Sequence, residues 1–141
     1  MRSKANVYNS KEKEISGSSL GEVMKHARYE YHVIQKYNPR RLSYVRSPYF
    51  GRDKIFISTF WTHLGQKGPR DKFRRTRLFS CAIDLIKFTR HRPDITEHAS
   101  LPGALLYRFY GLSTGGNLFV VQIKENKKSG RKDFISVFPI K

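Results

Sequence analysis

Apolar positions along this chain repeat with two different periods, and the change from one to the other falls near Pro93. Leu20, Val23, Met24, Ala27, Tyr31 and Ile34 recur at helical spacing, which predicts a helix over about 20–35. Ser19 and Glu22 stand in capping-box spacing at its start, where each side chain can satisfy a backbone N–H. Tyr29, Tyr31 and Val33 also alternate as a strand would, so the end of this element stays open until Asn38-Pro39 closes it. Ile55, Phe56 and Ile57 begin a buried segment that runs through Phe60 and Trp61 to Leu64. Gly65 to Pro69 reads as a turn, with Pro69 suited to the first position of a helix. From there to about Thr89 the pattern is helical: Leu78, Phe79, Ala82, Leu85 and Ile86 form one stripe, and Arg70, Arg74, Arg77, Asp84 and Lys87 lie elsewhere.

Beyond Pro93 the period shortens. Residues 105–112, 118–125 and 133–140 are rich in aromatic and β-branched residues, as strands are. Gly115-Gly116-Asn117 and the segment 126–131 between them carry hairpin-turn residues. Short connections imply antiparallel pairing. The expected fold is α+β: N-terminal helices packed on a C-terminal antiparallel meander of three to four strands. Residues 1–18 mix Lys, Glu, Ser, Asn and Gly and read as a flexible basic tail. A single domain is expected over 19–141.

Charge changes the picture most. The chain of 141 residues carries 28 Lys and Arg against 11 Asp and Glu, a formal charge of +17. Such a balance speaks about partners: a polyanion is attracted at long range, and neutralised phosphates release counterions. Nucleic acid is the leading candidate. A membrane surface is the weaker one, because no span, lipidation signal or secretory leader is visible. A cytoplasmic protein is expected, or a toxic module delivered by other machinery. The single cysteine, Cys81, excludes an intrachain disulfide and a cysteine-based zinc site.

Basic residues are also clustered. Six lie between Lys67 and Arg77, among them Arg70, Arg74 and Arg75, against one acidic residue. The stretch 36–54 interleaves Lys36, Arg40, Arg41, Arg46, Arg52 and Lys54 with Tyr37, Tyr44, Tyr49 and Phe50. That mixture suits single-stranded RNA, with charge for phosphates and rings for bases, and equally a surface loop whose rings tuck into the core. No phosphate-binding glycine loop, Rossmann fingerprint or zincin motif is present, and no cofactor is expected. His91, Asp94, Glu97 and His98 would hold one metal ion only if they lay on a helix, and Pro93 favours an extended loop. His63 stands between an apolar segment and the basic run, with Lys67 one helical turn on. Metal-free RNA cleavage needs a base, an acid and cations, so His63 and its neighbours are the candidates for that chemistry. A histidine packed for structural reasons is the plainer alternative.

Phe60-Trp61-Thr62-His63-Leu64 with Lys67, the basic helix, the strand 119–123, the turn 127–132 and the strand 133–139 together resemble the barnase, EndoU, colicin-type and RelE-like ribonuclease group, especially its phage-associated small members. The resemblance covers roughly the last 85 residues. It implies helices on an antiparallel sheet, a Ser or Thr on the last strand beside the scissile phosphate, and a histidine and basic residues from earlier elements. Ser136 matches that hydroxyl, His63 and Lys67 match the upstream pair, and Arg108 and Tyr110 would line the same face. An RNA substrate and an acidic inhibitor or antitoxin partner follow. The expected activity is metal-independent, toxin-like RNA cleavage by 2′-hydroxyl attack. The alternative is a non-catalytic RNA- or DNA-binding module using the same basic surface, in which Ser136 is a small packing residue.

Overall fold

The computed structural model describes residues 6–38, 42–98 and 100–140. In chain order these form strand β1 (Val7–Asn9), helix α1 (Leu20–Lys36), strands β2 (Tyr44–Ser47) and β3 (Asp53–Phe56), and helices α2 (Ser58–Leu64), α3 (Pro69–Thr76) and α4 (Phe79–Phe88). Strands β4 (Asp94–Glu97), β5 (Ala104–Leu112), β6 (Leu118–Asn126) and β7 (Lys132–Pro139) follow. The class is α+β, with four helices and one seven-stranded sheet.

Strands β5, β6 and β7 are the expected meander, in antiparallel register. The sheet is wider than three to four strands because short strands dock at both of its edges. Strand β1 runs parallel to the end of β5, and β4 pairs antiparallel with the earlier part of the same edge. At the other side β3 joins β7 in parallel, and β2 completes a hairpin with β3. Each of the added strands has only three or four residues, too few for a period-2 pattern to stand out.

Helix α1 starts where the capping residues placed it: Ser19 Oγ accepts from Glu22 N–H at 3.3 Å. One correction concerns the later helical stretch. The segment read as one helix to Thr89 is broken at Arg77-Leu78 into α3 and α4, and the buried segment 55–64 divides into β3 and α2. Both breaks serve packing. Phe79, Ala82, Leu85 and Ile86 are almost fully buried with Val23 and Ala27 of α1 and with Phe119, Val121, Ile123 and Val137 of the sheet, in one continuous core.

Part of the segment read as a flexible tail is anchored on α4 and beside α3. Asp84, buried on α4, accepts hydrogen bonds from Tyr8 OH (2.9 Å), Ser10 Oγ–H (3.1 Å) and Lys11 N–H (3.0 Å). Ile15 is buried, and its N–H donates to Arg77 C=O at 2.8 Å. The few anchoring positions in a polar segment suffice because a buried carboxylate needs the donors that segment brings.

Candidate functional site

Helices α2 and α3 both pack against β7, beyond the two residues where β3 pairs with it. Inward, Phe60 of α2 stacks on Phe134 of β7 with ring centroids 4.9 Å apart. Around that stack a narrow crevice is lined by His63, Lys67, Arg75, Ile135 and Ser136. Its free space is about 10 Å³, about enough for one water-sized group. Helix α2 contributes the imidazole, the following turn Lys67, helix α3 the guanidinium and strand β7 the hydroxyl.

The hydroxyl reaches the crevice through an irregularity in β7. Gln122 pairs with Ser136 but Ile123 pairs with Phe134, so Ile135 is an extra residue. In a regular strand, Ile135 and Ser136 would point to opposite faces. The bulge turns both toward the crevice, a re-aiming that bulges commonly perform. The bulge also breaks the alternation of burial along the strand: Phe134 and Val137 are both fully buried, while Ser136 and Phe138 are partly exposed.

Electrostatics at the crevice are one-sided. Burial holds His63 below the ordinary histidine value of 6.5, and the charges of Lys124 and Lys67 and the neighbouring His98 push it the same way. The ring makes no hydrogen bond to the described residues, which leaves both nitrogens free for chemistry. Arg75 lies over the Phe138 ring, 5.3 Å from its centroid. Asp71 Oδ2 is 3.1 Å from its Nε, yet that N–H is buried and not aimed to form a hydrogen bond. Asp71 is shared with Arg74 at 2.9 Å, so one carboxylate serves two guanidiniums. Ser136 donates its O–H to Gln122 Oε1 at 2.8 Å.

Register extends the site across the sheet. Arg108, Gln122 and Ser136 stand opposite one another on β5, β6 and β7, and residues paired in this way share a face. Tyr110 and Lys124 lie two positions along on that same face. Tyr110 OH donates to Asp94 Oδ2 at 3.0 Å. His98, just past β4, is fixed by its own N–H donating to Ala104 C=O at 2.9 Å. Its Nδ1 accepts from Ser100 N–H at 3.3 Å, which places the proton of the neutral ring on Nε2.

The remaining candidates divide. Arg70 and Arg74 are exposed on α3, beside the crevice-lining Arg75. Arg77 is partly buried and tied to the N-terminal segment, with Nε donating to Ile15 C=O at 3.1 Å. Tyr44 belongs to β2, and Arg40 and Arg41 lie outside the described residues. The metal constellation is not assembled. Residues 94–97 form a strand, Asp94 turns to Tyr110 and Glu97 to Lys127, and no group of three or more His, Cys, Asp or Glu among the described residues is placed to hold a metal ion.

Lys124 and Gln122 carry no sequence motif, but alternation along β6 holds a signal. With Val121 and Ile123 in the core, residues 122 and 124 must face the other way. No family model matches the chain, and no curated protein or solved structure is significantly similar to it. No helix among the described residues is long and apolar enough to cross a membrane.

Proposed function

We propose that the protein is a metal-independent endoribonuclease, acting at the crevice between α2, α3 and β7. The observation that carries this reading is the shared lining of one crevice by His63, Lys67, Arg75 and Ser136. A pocket this narrow takes a phosphate oxygen, and the nucleotides on either side would lie along the exposed sheet face of Arg108, Tyr110 and Gln122.

In the proposed reaction His63, kept neutral by burial and by surrounding cations, removes the proton of the 2′-hydroxyl. O2′ attacks phosphorus as the P–O5′ bond breaks. Arg75, Lys67 and Lys124 stand where the phosphorane gains charge, and such fixed cations stabilise the transition state more than the ground state. The departing O5′ takes its proton from water. The products are a 2′,3′-cyclic phosphate and a 5′-hydroxyl. Ser136 must turn its O–H from Gln122 to the phosphate. Positive charge comes from side chains, so the step requires no divalent ion. An acidic inhibitor covering the same basic face is the protein partner that this reading implies.

A non-catalytic RNA-binding module is favoured by one observation: the Ser136 hydroxyl already donates to Gln122. Incubation of RNA with the protein in EDTA separates the readings. Cleavage should persist, yield cyclic-phosphate ends and stop at a position carrying a 2′-deoxyribose. Intact RNA under all conditions supports the binding module, and activity restored only by Mg²⁺ refutes the proposed chemistry.

A further inference from the structure

A second basic depression lies at the other end of β7, outside the crevice. The β2–β3 hairpin and the turn between β6 and β7 enclose an open cleft of about 440 Å³, with Arg46, Lys54, Phe56, Arg131 and Lys132 on its walls and Asp53 as its one carboxylate. The buried Lys132 accounts for that carboxylate: its ammonium sits 2.8 Å from Asp53 Oδ2 and 3.4 Å from Glu125 Oε2, and it also donates to Gly130 C=O. Arg131 is held by Asp133 at 3.1 Å. Among the described residues Arg46 and Lys54 have no carboxylate partner, so two of the four cations on the cleft walls are unpaired.

These cations are positioned by aromatic rings. Lys54 Nζ is 4.9 Å and the Arg46 guanidinium 5.4 Å from the Tyr44 ring centroid, and Arg131 lies 4.5 Å from that of Phe56. Tyr44 and Phe56 meet edge to face across the β2–β3 pair. Arg46 is fixed further by donating to Arg52 C=O at 2.9 Å. Exposed cations held in a cleft open to solvent give both components of single-strand recognition: charge for phosphates, and in Arg46 and Arg131 guanidinium planes on which an unstacked base can lie.

We propose that this cleft is a second nucleic-acid site, which holds phosphates and a base of a single strand outside the position of cleavage. It takes nucleic acid as the ligand class from the reading above, but it does not depend on the cleavage chemistry. Lys132 in the cleft and Ser136 in the crevice pair with Glu125 and Gln122, three positions apart on β6, which is ~10 Å at ~3.3 Å per residue. One strand can occupy both.

The test is binding of a fluorescent all-deoxy single strand of about sixteen nucleotides, near the upper end of single-strand site sizes, followed by anisotropy over a range of salt. An uncleavable strand keeps the result independent of catalysis. The Arg46→Ala/Lys54→Ala double variant should bind at least tenfold more weakly, with a salt slope smaller by about 1.4, at roughly 0.7 per lost phosphate contact. The control is Lys11→Ala/Lys87→Ala, which removes the same net charge near Phe88 on α4. It should bind as the parent does. Melting temperatures of both should match the parent, and Lys54→Glu alone should weaken binding in the same sense. Equal losses in the two double variants would reduce the effect to net charge and overturn the proposal. So would displacement of the strand by a polyglutamate peptide at lower concentration than by unlabelled strand, which would assign the cleft to a protein. A strand bound through the cleft by a protein that never cuts RNA supports the cleft and refutes the cleavage reading.

Discussion

Replacing His63 by alanine separates chemistry from folding at the crevice. If its imidazole carries the proton in the transition state, single-turnover cleavage should fall by about 10²–10⁴-fold. At ~1.36 kcal/mol per decade that is ~2.7–5.4 kcal/mol of lost transition-state stabilisation. The structural cost should be far smaller. The ring is half-exposed and makes no hydrogen bond to the described residues, so its removal forfeits only contact with neighbours such as Phe60 and Leu64. A change of this kind costs about 1 kcal/mol or less. For a chain of this size that is ~3–4 °C in melting temperature. On the proposed reading RNA affinity comes from many Lys and Arg contacts, so it should hold. The assay is single-turnover cleavage with affinity and melting temperature measured on the same preparation. A variant that melts and binds normally and still cuts at the parent rate refutes the assignment. Parallel loss of rate, binding and folded protein would show that His63 is a packing residue.

Four further outcomes follow from the geometry. The acid limb of the pH–rate profile should lie below 6.5, and Lys124→Gln should move it upward, since one of the charges that disfavour the imidazolium is gone; an unmoved limb would exclude His63 as the titrating base. Native His63 binds its proton less tightly than the unfolded chain does, so its contribution to stability weakens as pH falls below about 6.5 and levels off below its native value, which denaturant titrations of parent and His63→Ala would compare. Asp84→Ala removes the acceptor of three hydrogen bonds and should cost about 3–5 kcal/mol, with amide exchange in residues 7–15 rising first; equal protection in parent and variant would refute the anchoring role. Gly111→Ala should destabilise by about 1–3 kcal/mol, because the new Cβ would meet the Phe119 ring at Cζ, Cε2 (2.8 Å) and Cε1 (2.9 Å), and a parent-like denaturation midpoint would show that the ring can give way.

The meander was legible because its strands are long: eight or nine residues each, bounded by Gly and Asn turns. Helix α1 was legible from its cap and stripe. Strands β1 to β4 were hidden, since three or four residues are too short a window for any period and their pairing is decided by tertiary contact. The break at Arg77-Leu78 was masked by an apolar stripe that continues through it. His63, Lys67 and Ser136 could be picked out by residue type and by the resemblance to a ribonuclease group, but their common lining depends on the extra residue Ile135, which no pattern of apolar positions marks. The contact of Arg77 with Ile15 was equally hidden, because a place in a basic run carries no sign that its Nε donates to a backbone carbonyl.

The two parallel pairings at the sheet edges set an order of assembly. Val7 must wait for Tyr110, and Ile55 for Lys132, before either strand finds its partner. Contacts so distant along the chain slow folding, because loop closure precedes any gain. During synthesis α1, α2, α3 and α4 all emerge before the strand that carries Ser136, so His63, Lys67 and Arg75 exist without the fourth wall of their crevice. A chain still on the ribosome, surrounded by RNA, therefore holds the cations but not the assembled centre.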